Sequence, residues 1–261
     1  MIPKKIHYFW FGGGEKPEIF YKCLASWKEK APDFSIMEWN EGNFDIGFCP
    51  YSSQAYQAQM YAFVSDAARY HVLYEHGGIY LDTDVELLKP LDSLLDNQMF
   101  MGFEDNRSIA PGLIIGAMPK NKIIGGICKE YESRSFLSDN GLLDKTTVCQ
   151  ITSAYLEKYG FHMDGCYQHI DGHTLYPKSY FCPLDFKTGR KEITPDTFTI
   201  HHYAATWHDD ISRNQIKYVQ KFSRYLGYKL AYSLVSAAFT LRYSGFNAFY
   251  IKIIRKLKNN G

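Results

Sequence analysis

Short apolar runs alternate with longer stretches of helical periodicity along most of the chain. Residues 5–11 are largely β-branched or aromatic and end in three glycines, 12–14, which is typical of a strand that enters a loop. The segment 52–76 contains no Gly or Pro, and its apolar positions follow helical spacing up to a predicted C-terminal cap at the glycine pair 77–78. The apolar run 79–81 then predicts a short buried strand.

The same two periodicities continue on both sides of these segments. They predict helices at 17–30, 121–133 and 148–159, and strands at 34–39, 99–103, 113–117, 173–176, 179–182 and 198–203. Alternating strands and helices indicate an α/β fold with a mixed, mostly parallel sheet in a single Rossmann-like domain.

The charge balance changes near residue 210. Residues 211–261 contain ten Lys and Arg and no Asp or Glu, whereas residues 1–210 contain 19 basic and 28 acidic residues. Lys217, Lys221 and Arg224 alternate with apolar positions, which predicts a basic amphipathic helix. We therefore predict a domain at 1–210 and an annex at 211–261 of basic amphipathic helices.

This annex is expected to bind an anionic membrane surface. Its uncharged run, 230–241, is too short to span a bilayer and suits an interfacial helix. The alternative is a basic face packed on the acidic domain, and the acidic balance of that domain argues against a nucleic-acid partner. Six scattered cysteines without a CxxC pair, and an N-terminal apolar run too short for a signal peptide, favour a cytoplasmic location.

Two carboxylates one residue apart, Asp82 and Asp84, follow the predicted strand at 79–81. If the backbone bends there, both can face a divalent cation, which would neutralise a diphosphate leaving group. Asp66 and Arg69 share one face of the preceding helix, either as a surface ion pair or as a partly buried group that binds sugar hydroxyls. There are two competing interpretations of Asp82 and Asp84. They could lie in a solvated turn, or they could belong to a haloacid-dehalogenase-type phosphatase, with Asp82 as nucleophile and Asp84 as general acid.

Three blocks of the sequence, taken together, resemble glycosyltransferase family 32. They are residues 7–13 (HYFWFGG), residues 65–69 (SDAAR) with 77–84 (GGIYLDTD), and residues 201–203 (HHY) with 206–207 (TW). This DXD-containing family includes yeast-type initiating mannosyltransferases and bacterial capsular polysaccharide glycosyltransferases, and it is distantly similar to the large glucosylating toxins. The resemblance covers about residues 1–208.

The resemblance implies a GT-A fold, a nucleotide-sugar donor, a Mn²⁺ or Mg²⁺ ion and transfer with retention of anomeric configuration. It implies that Trp10 stacks on the nucleobase and that the Phe9 backbone reads the base edge. It also implies that Asp66 and Arg69 hold the donor sugar, that Asp82 reaches the ribose and a metal-bound water, and that Asp84 ligates the metal. Further residues implied for donor binding are Gly12, Ser65, Tyr80, Thr206 and Trp207, and those implied for the metal site are His201 and His202.

We expect a retaining hexosyltransferase that uses UDP-linked galactose or glucose in preference to a GDP-sugar. Its expected acceptor is a polyprenyl-diphosphate-linked oligosaccharide in capsule, O-antigen or exopolysaccharide synthesis, at the inner face of the cell membrane. No carboxylate is marked as a nucleophile, so front-side attack is favoured; Glu104 and Asp105 are either acceptor or catalytic contacts or part of a polar loop. Each of these assignments has an alternative. Trp10 could be packed in the core, and the two histidines could simply end a strand. The protein could also bind a nucleotide-sugar without turnover.

Overall fold

The chain divides into two compact units. The larger comprises Met1–Pro183 and Glu192–Ala204, and the smaller comprises Leu184–Lys191 and Ala205–Gly261. The structure, a computed structural model, describes residues 1–138, 140–204 and 210–258. The predicted boundary after residue 210 stays a prediction.

A mixed sheet is the centre of the larger unit. In chain order the strands are β1 (Lys5–Phe9), β2 (Ser35–Trp39), β3 (Gly78–Tyr80), β4 (Val85–Leu87), β5 (Met99–Asp105), β6 (Ser108–Ile109), β7 (Ile115–Ala117), β8 (Gln168–Ile170), β9 (His173–Tyr176) and β10 (Thr199–His201). The strand order of the sheet is β2-β1-β3-β7-β5-β9-β8, with β6 paired to β5. Along this path β7 and β8 run opposite to the other five strands. The α/β class with the mixed, mostly parallel sheet expected of a GT-A domain is confirmed.

The helices of the larger unit are α1 (Glu18–Lys30), α2 (Pro50–Gln57), α3 (Tyr61–His76), α4 (Lys122–Glu132), α5 (Val148–Lys158) and the short α6 (Lys178–Phe181). Two predictions about secondary structure were wrong. The predicted helix 52–76 is interrupted because Gln59 adopts a positive φ of 57° and ends the first helical segment. The predicted strand 179–182 is instead the short helix α6. Phe181 of this helix is buried, and its ring lies 5.9 Å from that of Phe100. A short aromatic run that is buried on one side has the composition of a strand, so the pattern predicted the wrong element.

Each face of the sheet is covered by its own hydrophobic core. Alternate residues of β5 show this directly, because Met99, Met101 and Phe103 belong to one core and Phe100 belongs to the other. Helices α3, α4 and α5 contribute to the first core, and α1 contributes to the second. The two cores hold the sheet rigid, which fixes the positions of the loops at the strand ends.

The strand ends define the edge at which ligands are expected. Strands β1, β3 and β5 run in the same direction, so their carboxyl ends lie at one edge of the sheet. A separate antiparallel ladder pairs β10 with β4 and places His201 opposite Val85. This ladder brings a late segment of the chain to the residues that follow β3.

The smaller unit contains the long helices α7 (Asp210–Leu226) and α8 (Tyr228–Lys258) and a strap at 184–191. Gln220 Nε2 donates to the Phe186 carbonyl at 2.8 Å, which fastens the strap to α7. Gly245 interrupts α8 with a φ of 80°. Within the described helices, none has the length and apolar character needed to span a bilayer.

Candidate active site

Three potential metal ligands converge where β3 ends. Asp82 and Asp84 lie in a turn closed by a hydrogen bond of 3.1 Å from the Val85 amide to the Asp82 carbonyl, and His201 comes from β10. One ligand atom from each of the three side chains lies within 4.8 Å of the others. Two carboxylates and one imidazole are a ligand set that suits a divalent cation.

The segment 201–204 fixes the conformation of Asp84. His201 Nε2 lies 3.0 Å from Asp84 Oδ1, and the Ala204 amide donates to Asp84 Oδ2 at 2.7 Å. The His202 amide donates to the Asp84 carbonyl at 3.0 Å. Backbone and side chain of Asp84 are therefore held by residues that lie more than a hundred positions later in the sequence.

The Asp84–His201 pair shifts the pKa of both partners. Burial opposes the charge of Asp84, but the charge and hydrogen bond of His201 outweigh it and lower the pKa of Asp84 to about 2. Burial also disfavours the His201 imidazolium, yet Asp84 raises the pKa of His201 to about 9. His201 Nδ1 is buried and has no hydrogen-bond partner among the described residues.

A second acid–base pair, Asp66 and Arg69, lies next to Asp82. Arg69 Nη2 contacts Asp66 Oδ1 at 2.6 Å, and Arg69 Nη1 lies 3.6 Å from Asp82 Oδ1. The guanidinium stacks over the Tyr80 ring at 4.5 Å, and the Tyr80 hydroxyl donates to Asp82 Oδ1 at 2.5 Å. Arg69 Nε donates to the Ser65 carbonyl at 3.1 Å, so the α3 backbone sets the direction of the side chain.

Arg69 is only 4% exposed, whereas Asp66 is 15% exposed and reaches the site. Burial raises the pKa of Asp66 to about 6, against the opposing charge of Arg69, and the charge of Asp82 adds to the increase. Despite burial, Tyr80, Asp82 and Asp66 together raise the pKa of Arg69, which stays charged. The pair thus combines a permanent cation with a carboxylate that titrates near neutral pH.

The end of β1 carries the residues predicted to bind the nucleobase. Phe9 is buried in the core, and its ring lies 5.6 Å from that of Phe44. Trp10 is half-buried, and its Nε1 donates to the Gly14 carbonyl at 2.7 Å. Gly12 has a φ of 85°, and a Cβ there would lie 2.4 Å from the ring of Tyr61, so only glycine fits. The roles of these residues toward a base stay predictions.

Gly112 makes room for the Asp82 carboxylate. A Cβ at this position would lie 2.2 Å from Asp82 Oδ2, and the Gly112 carbonyl accepts a hydrogen bond of 3.3 Å from the Asp82 amide. The sequence shows only a Gly/Pro-rich loop between two strands at this point. The contact between Gly112 and Asp82 depends on the pairing of β7 with β3, so the sequence around either residue does not predict it.

Seven of the predicted site residues form one connected group: Ser65, Asp66, Arg69, Tyr80, Asp82, Asp84 and His201. His202 does not join it, because its Nε2 lies 2.7 Å from Glu86 Oε2, which also binds Lys22. Thr206 and Trp207 lie outside the described residues.

Comparison with known proteins supports the predicted resemblance. Residues 17–101 match the family model described as the glycosyltransferase sugar-binding region containing the DXD motif. This segment is therefore similar to DXD-type glycosyltransferase regions. It includes Asp66, Arg69, Asp82 and Asp84 but not His201.

Curated relatives match part of the chain. The chain is 31% identical over 111 residues to inositol phosphoceramide mannosyltransferase 1 of Schizosaccharomyces pombe, covering 38% of this chain and 33% of that protein. It is 30% identical over 125 residues to the initiation-specific alpha-1,6-mannosyltransferase of Candida albicans, covering 44% and 32%. The matched part of the chain thus spans about a third of the length of these curated relatives.

Part of the chain is also similar to two solved glycosyltransferase structures. PaToxG glycosyltransferase is 19% identical with a TM-score of 0.48, and the match covers 61% of this chain and 70% of that one. Galactosyltransferase LgtC in complex with donor and acceptor sugar analogues is 13% identical with a TM-score of 0.43, covering 83% and 95%.

Proposed function

We propose that this protein is a metal-dependent, retaining glycosyltransferase that transfers a hexose from a nucleotide-sugar to a glycan. The observation that carries the proposal is the convergence of Asp82, Asp84 and His201 beside the buried Asp66–Arg69 pair. The DXD-type region and the glycosyltransferase names of the curated relatives support the same reaction class.

A divalent cation fits Asp82, Asp84 and His201. Among the described residues the site presents carboxylates at Asp66, Asp82 and Asp84 and one permanent cation, Arg69, so a diphosphate needs a further positive charge in order to bind there. Carboxylate oxygens with one imidazole suit Mn²⁺ or Mg²⁺, and His201 Nε2 lies 3.0 Å from Asp84 Oδ1. Asp84 and His201 would ligate the ion, and Asp82 would face its water and the ribose. The bound ion would neutralise the charge that develops on the leaving diphosphate.

The Asp66–Arg69 pair supplies donor-sugar recognition in this proposal. The Asp66 carboxylate accepts hydrogen bonds from sugar hydroxyls, while Arg69 stays fixed by Ser65, Asp66 and the Tyr80 ring. The acceptor hydroxyl attacks the anomeric carbon from the leaving-group side. The carbon–oxygen bond to the phosphate breaks as the new glycosidic bond forms, and the hydroxyl proton leaves with the diphosphate. No protein base is required.

For the donor we propose a UDP-linked glucose or galactose, with the base against Trp10. This side chain stands half-exposed at the end of β1, at the same sheet edge as Asp82. The printed names of the curated relatives are those of mannosyltransferases, which makes GDP-mannose the competing donor. The comparison of these sugars is therefore part of the test.

The proposed acceptor is a polyprenyl-diphosphate-linked oligosaccharide at the inner face of the cell membrane, in capsule, O-antigen or exopolysaccharide synthesis. Helix α7 supports a peripheral membrane contact, because Phe222 and Tyr225 are exposed, at 42% and 82%, on a helix that carries Lys217 and Lys221. Flotation with phosphatidylglycerol vesicles tests this part. A protein truncated after residue 210 should remain folded and lose flotation; a folded truncation that still floats would refute membrane binding by the annex.

The reaction is tested by release of nucleoside diphosphate from UDP-glucose, UDP-galactose and GDP-mannose, with Mn²⁺ or with EDTA. We expect turnover only with the metal, and a loss of about 1,000-fold in Asp84→Asn, because one ligand of the ion is lost. Asp171→Asn is the matched control, since Asp171 is exposed and has a φ of 48° that asparagine tolerates. The anomeric configuration of the product, read by NMR, tests retention.

Three results would contradict the proposal. They are full activity of Asp84→Asn, turnover that is insensitive to EDTA, and hydrolysis of p-nitrophenyl phosphate without donor turnover. The last would favour the phosphatase interpretation of Asp82. Binding of nucleoside diphosphate and Mn²⁺ without turnover would favour a binding protein.

A further inference from the structure

Glu104 lies at the same sheet edge as the metal-ligand group. It belongs to the end of β5, which is separated from β3 by the single strand β7. Because β3 and β5 run in the same direction, their carboxyl ends face the same side. Two strand spacings place Glu104 about 10 Å from the end of β3, which is about the size of a sugar ring with its hydroxyls. Glu104 is thus part of a strand, and the polar-loop interpretation does not apply to it.

Tyr203 fixes the Glu104 carboxylate. The Tyr203 hydroxyl donates to Glu104 Oε1 at 2.9 Å and lies 3.0 Å from Cys182 Sγ. The Tyr203 ring lies 4.2 Å from the His201 ring, and its backbone adopts a positive φ of 51°, which is uncommon for an aromatic residue. A continuous set of contacts therefore leads from Asp84 through His201 and Tyr203 to Glu104.

No described basic side chain lies within salt-bridge distance of Glu104, although its charge adds to the increase in the pKa of His201. Asp66 and Asp84 pair with basic side chains, whereas the described residues offer Glu104 no salt bridge and only the Tyr203 hydrogen bond. Its charge nevertheless acts on the site. Burial, followed by the charges of Glu104 and Asp66, raises the pKa of Cys149 to about 12; Arg69 opposes the increase and Asp82 adds to it.

We infer that Glu104 binds a hydroxyl of a neutral acceptor sugar and that Tyr203 is the positioning residue that orients its carboxylate. This inference rests on the proposed glycosyltransferase reaction. An ionised carboxylate only accepts hydrogen bonds, which matches the donors of a sugar hydroxyl. The same charge repels a carboxylated sugar, so the site selects neutral over uronic acceptors. Glu104 takes no proton in this scheme; the acceptor proton leaves with the diphosphate.

The test compares transfer to sugars with transfer to water. The probes are methyl glycosides of glucose, galactose and mannose and methyl glucuronide, each supplied with donor and Mn²⁺, with hydrolysis of the donor measured in parallel. Glu104→Gln should raise the KM for a neutral glycoside on the order of 10- to 100-fold, as loss of a hydrogen bond to a charged group does. Donor hydrolysis should stay within about 2-fold, and discrimination against the glucuronide should shrink.

Two further variants separate a binding role from a structural one. Tyr203→Phe should raise the same KM by less than Glu104→Gln does, and it should have no added effect in the Glu104→Gln background, because both changes act through one carboxylate. Asp171→Asn is the control here as well. Asp171 is exposed and has no place in the proposed site, so its substitution should leave the KM unchanged.

Three outcomes would overturn the inference. Donor hydrolysis that falls in parallel with transfer in Glu104→Gln and Tyr203→Phe would show a structural role. An unchanged glucuronide discrimination would exclude the charge of Glu104 from the acceptor site. A wild-type protein that hydrolyses the donor but transfers to none of the glycosides would show that no neutral sugar binds there. Failure to turn over any donor, by contrast, would reject the proposed function itself, and the inference with it.

Discussion

Two acid–base pairs stand side by side at the end of β3, and they differ in the nature of the base. Asp66 pairs with Arg69, a permanent cation stacked on Tyr80, whereas Asp84 pairs with His201, whose charge depends on pH. A neutral imidazole ligates metals and an imidazolium does not. The first pair is thus a fixed part of the pocket, whereas in the proposed reaction a metal ion would replace the proton of His201.

The largest effect is expected from removal of the fixed cation. Arg69→Met leaves Asp66 buried without its partner and should lower the free energy of unfolding by about 3–5 kcal/mol. Urea unfolding followed by circular dichroism measures the change. The double variant Arg69→Met with Asp66→Leu should recover most of this loss, because it buries no unpaired charge. A single variant as stable as the wild type would show that the pair is not fixed.

The His201 pair should show its pH dependence in the metal-free protein. The pKa of His201 is raised to about 9 in the folded state from an ordinary value of 6.5, so its contribution is fully present below about pH 6.5 and is lost as the pH rises through 9. The shift corresponds to about 3 kcal/mol at most. Unfolding in EDTA from pH 6 to pH 10 measures it, and His201→Ala should flatten this part of the curve.

The affinity for a metal ion should rise with pH, whereas the stability contribution of the His201 pair falls with pH. Because Mn²⁺ must displace the proton of His201, its affinity should rise about tenfold per pH unit up to about pH 9. Calorimetry at pH 6.5, 7.5 and 8.5 measures the slope. A pH-independent affinity would place His201 outside the metal site.

Asp66 should give a smaller effect, visible in catalysis. Its pKa of about 6 means that the carboxylate is protonated below that value, so kcat/KM should fall by up to tenfold per pH unit below pH 6. For folding the sign is reversed: because the folded pKa exceeds the unfolded one, the stability that protonation gives is lost as the pH rises from about 4 to about 6. Asp66→Asn should remove the inflexion at pH 6 from the pH–rate profile.

The smallest effect is expected at His202. Its imidazole contacts Glu86 on the other side of the ladder and stays out of the ligand group. His202→Ala should change the Mn²⁺ affinity by less than about 2-fold, whereas His201→Ala should weaken it at least about tenfold, because a direct ligand is lost. Equal effects of the two substitutions would show that the neighbouring imidazoles are interchangeable.

Residues that are close in sequence were the ones that sequence reasoning placed well. Asp66, Arg69, Tyr80 and Asp82 lie on one helix and the strand after it, so spacing along the chain already determines their proximity. Which of two adjacent histidines turns toward Asp84 depends on the register of the β10–β4 ladder, because successive residues of a strand point to opposite faces.

Other features of the site had no local signal. The contact of Gly112 with Asp82 and the hydrogen bond between Tyr203 and Glu104 join segments that only the sheet order brings together. The interruption between α2 and α3 was missed for another reason. Gln59 has a positive φ, which is uncommon for glutamine and therefore cannot be predicted from the residue type.

The β10–β4 ladder also sets the order in which the site can be completed during synthesis. Asp84 is translated more than a hundred residues before His201, its partner in the ladder segment. At bacterial or eukaryotic elongation rates of about 5–20 residues per second, this separation corresponds to several seconds. During that interval the nascent chain has both aspartates of the DXD sequence but neither the imidazole nor the strand that covers β4. Asp82, Asp84 and His201 can therefore come together only after most of the larger unit has left the ribosome.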